Sequence, residues 1–217
     1  MPESSLYTMR PRVMVADDHR IVAEGLRSLL EKNYDVIGVV HDGRQLLVEA
    51  SRLKPDVIVL DIAMPLLNGL DAGARLKSSL PTAKLVFLTM KDDANLAAAA
   101  LSLGAAGYVL KHMAASELVK AVSEVLQGRS YVTERLRAEN WAVREARARQ
   151  FSKDLTPRQQ EVLQLLAEGR PMKEVADILN VSEKMVMFHK YHIMKSFNLK
   201  NNADIVLLAL KENLISA

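Results

Sequence analysis

Cysteine is absent from the 217-residue chain, which excludes disulfide frameworks, thiolate metal sites and cysteine nucleophiles. Long apolar runs are absent too: no stretch approaches the 18 residues of a membrane span, and the first residues, MPESSLYTMRP, lack the apolar centre of a secretion signal. We therefore expect a cytoplasmic protein without a membrane contact. Apolar residues make up 49% and charged residues 25% of the chain, proportions typical of globular domains.

Excess charge is also scarce, since the formal net charge is only +3. This excludes a protein that coats nucleic acid along its whole length. Residues 1–128 carry 14 basic and 15 acidic residues, residues 129–153 carry 7 and 3, and residues 154–217 carry 8 of each. The middle stretch has no proline or glycine and is rich in helix formers, which predicts a charged helical linker between two domains. A surface helix of one larger domain is the alternative.

The first part of the chain repeats a unit of apolar strand and amphipathic helix. Five short β-branched runs begin at residues 13, 36, 57, 85 and 108, and stretches with helical spacing such as IVAEGLRSLL and SELVKAVSEVL lie between them. This alternation predicts an α/β domain with a parallel sheet and helices on both faces. Ligands of such sheets bind beyond the carboxyl ends of the strands.

Polar residues stand where four of these runs end: Asp17, Asp18, Asp61, Thr89 and Lys111. Singly, each has an ordinary explanation as a turn, a cap or a surface residue. Together, three crowded carboxylates need a cation, and hard oxygen ligands suit Mg²⁺, which commonly binds phosphoryl groups as well. Asp61 is then the candidate nucleophile for an acyl phosphate, and Lys111 and Thr89 are candidates to bind its phosphoryl oxygens.

The segments VMVADDHRIVAEGL, DVIVLDIAMPLLNGLD, LVFLTM and GAAGYVLKHMAASEL carry a resemblance to the receiver domain of two-component response regulators, over residues 11–128. The resemblance implies a flavodoxin-like (βα)₅ fold and a phosphoryl group accepted from a sensor histidine kinase. It further implies these roles: Asp61 as phosphoacceptor, Thr89 and Lys111 as its catalytic partners, Thr89 and Tyr108 as switch residues, and Asp17, Asp18, Asp61 and the backbone carbonyl of Ala63 as Mg²⁺ ligands.

A switch follows from these roles. Phosphorylation adds about two negative charges at Asp61 and draws Thr89 toward the phosphoryl group. The space that Thr89 leaves lets Tyr108 turn inward, which remodels the neighbouring surface by a population shift.

Residues 154–217 predict four short helices. Thr156 and Pro157 are start signals for the first helix, and the turn from Asn180 to Ser182 joins the second to the third, as in a helix-turn-helix. At 100° per residue, the third helix has a core face and an opposite face. The core face contains Val186, Lys190, Ile193 and Phe197; the opposite face contains Lys184, Phe188, Tyr191 and Lys195, with Met187 and His192 at its edges. Cations beside aromatic rings suit a DNA groove.

This part resembles the LuxR-type DNA-binding domain in LTPRQQEVLQLLAEG, MKEVADILNVS and VMFHKYHIMKSFNL. The whole chain therefore resembles a response regulator of the NarL/FixJ family, with an α/β domain followed by an all-α domain. The expected division is a tail at 1–10, the receiver at 11–128, the helical linker at 129–153 and the DNA-binding domain at 154–217. Where family members commonly have Thr-Val-Lys, this chain has Met185-Val186-Met187, which removes a hydroxyl and a cation from the DNA-reading helix.

Two surfaces have alternative uses. The exposed side chains of Met187, Phe188 and Tyr191 are alternatively a docking face for the unphosphorylated receiver. The last helix contains ADIVLLAL, which is more apolar than one core face requires and predicts a dimer contact. A fully packed closing helix is the alternative.

The predicted function is that of a transcription regulator and not an enzyme. Its expected partners are a sensor histidine kinase, promoter DNA, RNA polymerase and a second copy of the chain once phosphorylated, with Mg²⁺ as the cofactor. A receiver-linked RNA-binding antiterminator is one alternative. A Mg²⁺-dependent phosphohydrolase with an aspartyl nucleophile is another, although the adjacent Asp17 and Asp18 differ from the Asp-x-Asp of haloacid-dehalogenase-like enzymes.

Overall fold

Six parallel strands form the sheet of the N-terminal domain in the computed structural model, which describes residues 10–90, 92, 94–137 and 155–215. The strands are β1 Arg12–Ala16, β2 Asp35–Val40, β3 Val57–Asp61, β4 Lys84–Thr89, β5 Gly107–Leu110 and β6 Tyr131–Val132. Their order in the sheet is β2-β1-β3-β4-β5-β6. The central strand β3 is buried at every position, as expected of a parallel strand covered on both faces. The predicted parallel α/β architecture is confirmed.

Helices cover both faces of this sheet. They are α1 Arg20–Leu30, α2 Gly43–Leu53, α3 Gly69–Ser79, α4 Ala94–Ser102 and α5 Ala114–Leu126, with a 3₁₀ turn at Lys111–Met113. Successive residues of a strand point to opposite faces, so that Val13 and Val15 pack with α1 and α5, whereas Met14 and Ala16 pack with α2, α3 and α4. Two cores therefore fix the sheet between two helix layers.

The short strand β6 corrects the predicted linker. Tyr131 and Val132 are buried and pair with β5, although residues 129–153 were expected to be helical. An aromatic and a β-branched side chain at the sheet edge gain burial and strand hydrogen bonds there, and both outweigh the helical tendency of the surrounding residues. Helix α6, Glu134–Arg137, follows. The remainder of the predicted linker, residues 138–153, lies outside the described residues.

Within the described residues 155–215, four helices form the C-terminal domain, as predicted. They are α7 Pro157–Ala167, α8 Met172–Leu179, α9 Glu183–Ser196 and α10 Asn202–Lys211. Thr156 and Gln159 make a capping box at the start of α7. Asn180 ends α8 in the left-handed region with φ of 52°, and the Ser182 side chain caps α9 by accepting a hydrogen bond from the backbone N–H of Met185.

Within the described residues, no helix has both the length and the apolar character needed to cross a bilayer.

One glycine fixes how α3 leaves the sheet. The backbone N–H of Gly69 donates a hydrogen bond to the carbonyl of Ile62 at 2.7 Å. A Cβ atom at Gly69 would lie 2.0 Å from the carbonyl oxygen of Asp61, which is closer than real atoms approach. The start of α3 is therefore packed directly against the end of β3, and the loop between them has little freedom.

Replacing this glycine should destabilise the N-terminal domain. For Gly69→Ala we expect a loss of about 1 to 3 kcal/mol or more in the free energy of unfolding, because backbone must move to admit the methyl group. Gly25→Ala in α1 is the matched control, since a Cβ there meets nothing within 4 Å. This control should be neutral or up to about 1 kcal/mol more stable. Urea unfolding of the parent and both variants measures these free energies. Equal stabilities of Gly69→Ala and Gly25→Ala would contradict the expectation.

Candidate functional site

Three carboxylates meet at the carboxyl edge of the sheet. Asp17 directly follows β1 and is fully buried, Asp61 ends β3 with 4% of its surface exposed, and Asp18 is partly exposed. Ligand atoms of these three residues and of His19 all lie within 4.8 Å of one another. Carboxylates this close repel unless cations neutralise them, and oxygen donors at this spacing fit a hard divalent cation such as Mg²⁺. The structure thus brings the three predicted carboxylate ligands together.

Lys111 neutralises two of these carboxylates. Its Nζ atom lies 2.8 Å from an oxygen of Asp17 and 2.8 Å from an oxygen of Asp61, and its side chain is almost wholly buried. Burial by itself lowers the pKa of the Lys111 ammonium, but the charges of Asp61 and Asp17 and the hydrogen bonds to them outweigh burial and raise it. Lys111 therefore remains a cation in the centre of the site.

Asp61 carries a perturbed carboxyl. Burial raises its pKa to about 6, and the charges of Asp17 and Asp18 act in the same direction, whereas Lys111 opposes them. The group is still mainly ionised at neutral pH, so it remains available as a nucleophile. A buried, partly desolvated carboxylate beside an ammonium suits attack on a phosphorus atom whose oxygens the ammonium can bind.

His19 is a residue of this site that the sequence patterns did not single out. Its Nδ1 atom lies 2.7 Å from Asp18, and its backbone N–H donates a 3.0 Å hydrogen bond to Asp17. His19 thus orients both members of the acidic pair. Its position directly after that pair was the available signal.

The two expected switch residues lie on neighbouring strands. Asp61 pairs in register with Leu88, so Thr89 lies one residue further along β4, at the same edge of the sheet. Tyr108 on β5 is already fully buried. The Tyr108 side chain therefore already lies inside the domain in this conformation. The structure does not contain the outward position from which the predicted rotation would start. Ala63 follows two residues after Asp61 and is partly exposed at the start of the next loop.

Helix α9 presents the second candidate surface. Val186 and Ile193 are buried in the domain core, and the partly buried Phe197 packs against it. Lys190, also predicted for this face, is only partly buried and donates a hydrogen bond to Asn202. On the opposite side Met187, Phe188 and Tyr191 are 55%, 54% and 61% exposed, and Lys184 and Lys195 are exposed beside them.

Aromatic rings form one continuous cluster on this face. The centroids of the Phe188 and His192 rings are 4.3 Å apart, and those of Tyr191 and His192 are 5.9 Å apart. Because the face is open to solvent, it does not dock on the N-terminal domain in this structure. Docking of this face on the receiver, the alternative use considered for it, is therefore not seen in this structure.

The N-terminal domain contacts helix α7 instead. Gln164 and Glu161, both buried, and Glu168 reach the loop that follows β3 and arginines of α2 and α3. The sequence patterns did not identify these residues as functional, because they used only the start signals and the apolar positions of α7. The available signal was a polar pair, Glu161 and Gln164, that flanks Val162 and Leu163 within the helix.

Comparisons with known proteins agree with this arrangement. Residues 13–123 match the family of response regulator receiver domains, and residues 153–209 match the bacterial regulatory proteins of the luxR family. The chain is 35% identical to the oxygen regulatory protein NreC of Staphylococcus epidermidis, over 94% of this chain and 99% of that protein. It is 34% identical to the transcriptional regulatory protein LnrK of Bacillus subtilis, over 92% of this chain and 96% of that protein.

A solved structure is similar over both domains. It contains two RcsB dimers bound to two parallel DNAs, is 29% identical in sequence, covers 94% of this chain and 98% of the RcsB chain, and aligns with a TM-score of 0.56.

The carboxyl of Asp71 in α3 should make stability depend on pH. Burial raises its pKa to about 6; a hydrogen bond from Asn68 and the charge of Arg75 oppose this, and the charge of Glu161 adds to it. Because the folded pKa lies above the unfolded value, the free energy of unfolding falls as pH rises from about 4 to 6 and stays lower above that. Asp71→Asn should therefore be more stable than the parent at pH 7.5, by up to about 2 kcal/mol, with no such gain near pH 4.

Denaturant unfolding at several pH values measures this difference. Asp177→Asn, which removes an exposed carboxylate of α8, controls for the loss of one surface charge. A stability difference that is constant over the pH range would contradict the assignment to Asp71.

Proposed function

The chain belongs to the bacterial response regulators that join a receiver domain to a LuxR-type DNA-binding domain, and on this premise we propose that phosphorylation of Asp61 controls its binding to promoter DNA. Members of this family are DNA-binding transcription regulators and not enzymes, which decides against the phosphohydrolase and the RNA antiterminator. The observation that carries the proposal is the buried Asp61 carboxylate, 2.8 Å from Lys111 and beside Asp17 and Asp18.

The phosphoryl donor is a histidine phosphorylated at a ring nitrogen on a sensor kinase. An Asp61 carboxylate oxygen bonds to phosphorus as the P–N bond breaks, and the ring nitrogen leaves with the electron pair and takes up a proton. Lys111 shifts from its two carboxylates to bind the incoming phosphoryl oxygens, and the Thr89 hydroxyl donates a hydrogen bond to one of them. The product is an acyl phosphate on Asp61.

Receiver domains bind Mg²⁺ through acidic residues, and the donor set of this chain fits that ion. We assign Asp17, Asp18, Asp61 and the carbonyl of Ala63 as its ligands. Bound there, Mg²⁺ would neutralise charge that develops on the phosphoryl oxygens. His19 holds the carboxylate of Asp18 in place for this role.

Helix α9 is the element that enters the major groove in this proposal. Its contacts with DNA come from Lys184, Met187, Phe188, Tyr191, His192 and Lys195. The lysines bind phosphates or guanine edges, and the apolar and aromatic side chains contact thymine methyl groups. Residues 180–200 carry four lysines against one glutamate, so each monomer makes few phosphate contacts and its affinity has a modest salt dependence.

Two copies bind one site in this proposal. Leu207 on α10 is 63% exposed, although Ile205, Leu208 and Ala209 of the same helix are buried, and we assign this surplus apolar side chain to a dimer contact. A two-fold dimer places two α9 helices about one duplex turn apart. We further propose that the phosphorylated dimer acts in the cytoplasm and recruits RNA polymerase.

Asp61→Asn should abolish phosphorylation. The parent protein, given a small-molecule phosphodonor and Mg²⁺, should gain one phosphoryl group by intact mass spectrometry and bind promoter fragments more tightly. The variant should show neither change, because its amide is not a nucleophile. Asp35→Asn, at an exposed aspartate that begins β2, is the control and should behave as the parent. Equal phosphorylation of Asp61→Asn would refute the assignment.

Substitutions on α9 should separate two kinds of DNA contact. Lys195→Gln should weaken binding to all duplexes about equally and reduce the slope of log affinity against log salt by about one. Phe188→Ala should reduce discrimination between duplexes at an unchanged salt slope. Fluorescence anisotropy with DNA fragments selected by the protein measures both. Lys32→Gln on the receiver surface is the control. If Lys32→Gln weakened DNA binding as much as Lys195→Gln does, the assignment of the DNA contacts to α9 would be contradicted.

A further inference from the structure

A cavity of about 720 Å³ lies between the two domains. Its apolar walls come from both of them: Leu70, Ala99 and Leu103 on the receiver, and Pro157 and Leu214 on the C-terminal domain. Small molecules bind in concave, mainly apolar sites of this size, and such sites occur preferentially between domains. The cavity therefore has the volume and the walls of a ligand site.

One carboxylate of this cavity has no cation beside it. Asp71 of α3 lines the cavity and is mostly buried. The side-chain amide of Asn68 donates a 2.7 Å hydrogen bond to it, but no arginine, lysine or histidine in the described part of the chain forms an ion pair with it. A carboxylate removed from water is stabilised by a neighbouring positive charge. A cation is thus the group that this position lacks.

The one arginine of the lining, among the described residues, is already engaged. Arg75 lies one turn after Asp71 on α3, and its guanidinium donates a hydrogen bond to the nearly buried carboxylate of Glu161. The charge of Arg75 lowers the pKa of Asp71, but burial outweighs it and raises that pKa to about 6. Asp71 is therefore ionised at neutral pH without full compensation of its charge.

The other polar groups of the lining suit the same kind of ligand. Glu212, which follows α10, is a second acidic residue on the wall opposite Asp71. Gln160 of α7 also lines that wall, and its side-chain amide makes no hydrogen bond with the described residues. This amide offers one acceptor and two donor hydrogens. Two acidic residues against one engaged arginine disfavour an anion in this cavity and favour a cation.

We propose that the cavity binds a small amphiphilic cation, whose ammonium or amidinium group pairs with the Asp71 carboxylate and whose apolar body fills the space between Leu103 and Leu214. An ion pair that is partly shielded from water is stronger than one at the surface. Because both domains line the cavity, such a ligand stabilises the domain arrangement of this structure. Asp61 and Lys111 do not line it, so the site is separate from the acidic site at the strand ends.

Three probes with the same aromatic body and different charge test the ligand class. Tryptamine is a cation at neutral pH, tryptophol is its uncharged alcohol counterpart, and indoleacetate is an anion. Isothermal titration calorimetry with the full-length chain at pH 7.5 measures the three affinities. Tryptamine should bind at least roughly tenfold more tightly than either of the others, because only its charge compensates that of Asp71.

Variants on the receiver side test the location. Asp71→Asn keeps the shape of the side chain and removes its charge, so it should weaken tryptamine binding roughly tenfold and leave the affinity for tryptophol unchanged. Ala99→Phe places a ring in the cavity and should abolish binding of both. Asp177→Asn, at an exposed carboxylate of α8 outside the cavity, is the matched control and should bind all probes as the parent does.

Thermal unfolding gives a second readout. Tryptamine should raise the unfolding temperature of the parent and of Asp177→Asn, and leave that of Ala99→Phe unchanged. This comparison also shows whether each variant is folded, since an unfolded variant has no cooperative transition.

The outcomes decide for or against the site. The proposal is overturned if the parent does not bind tryptamine, if indoleacetate binds as tightly as tryptamine, or if folded Asp71→Asn and Ala99→Phe retain the affinity of the parent. None of these measurements requires Mg²⁺ or a phosphodonor. Their result therefore leaves the assignment of Asp61 as phosphoacceptor to its own test.

Discussion

The ion pairs of Lys111 are the interaction on which the rest of the receiver depends. Buried carboxylates at the ends of β1 and β3 are stable only because the Lys111 ammonium lies 2.8 Å from each of them. The strand order brings these residues to one edge although they are far apart in the chain. In the proposed function, Mg²⁺ and a phosphoryl group would replace one set of charge pairs by another at this site.

Helix α7 is an element through which the two domains touch. One side of α7 packs in the apolar core of the C-terminal domain, and another side makes polar contacts with the receiver. A helix confined in this way cannot follow the loop after β3 without moving the whole DNA-binding domain. The polar contacts of α7 therefore join the loop after β3 to the domain that carries α9, whose aromatic face is exposed in this structure.

The small net charge of the chain suits such a switch. In the proposed function, a domain with only four lysines in residues 180–200 would bind duplex weakly as a monomer, because few phosphates would be neutralised. Aromatic and apolar side chains on the same face add contacts that depend on base sequence more than on charge. Under the proposal that two copies bind one DNA site, pairing of two such domains, and not the charge of either one, decides whether the site is occupied.

Local sequence patterns were sufficient to locate the elements and much of the site. Apolar periodicity located the five longer strands and the helices between them, and the caps Thr156 and Ser182 marked the starts of α7 and α9. Asp17, Asp61 and Lys111 were recognisable because parallel strands end at a common edge. These features depend on short stretches of chain, which a local pattern records.

The remaining features depend on contacts between segments that are distant in the chain. Strand β6 is two residues long, too short to show a period, and it forms because β5 offers it an edge. Gln164 contacts Met64, 100 residues away in the chain, and no local pattern relates such positions. The full burial of Tyr108 likewise depends on what packs against it. Local sequence determines which segments are helical or extended and where helices begin and end, whereas contacts between distant segments determine which strands pair and which buried polar groups meet.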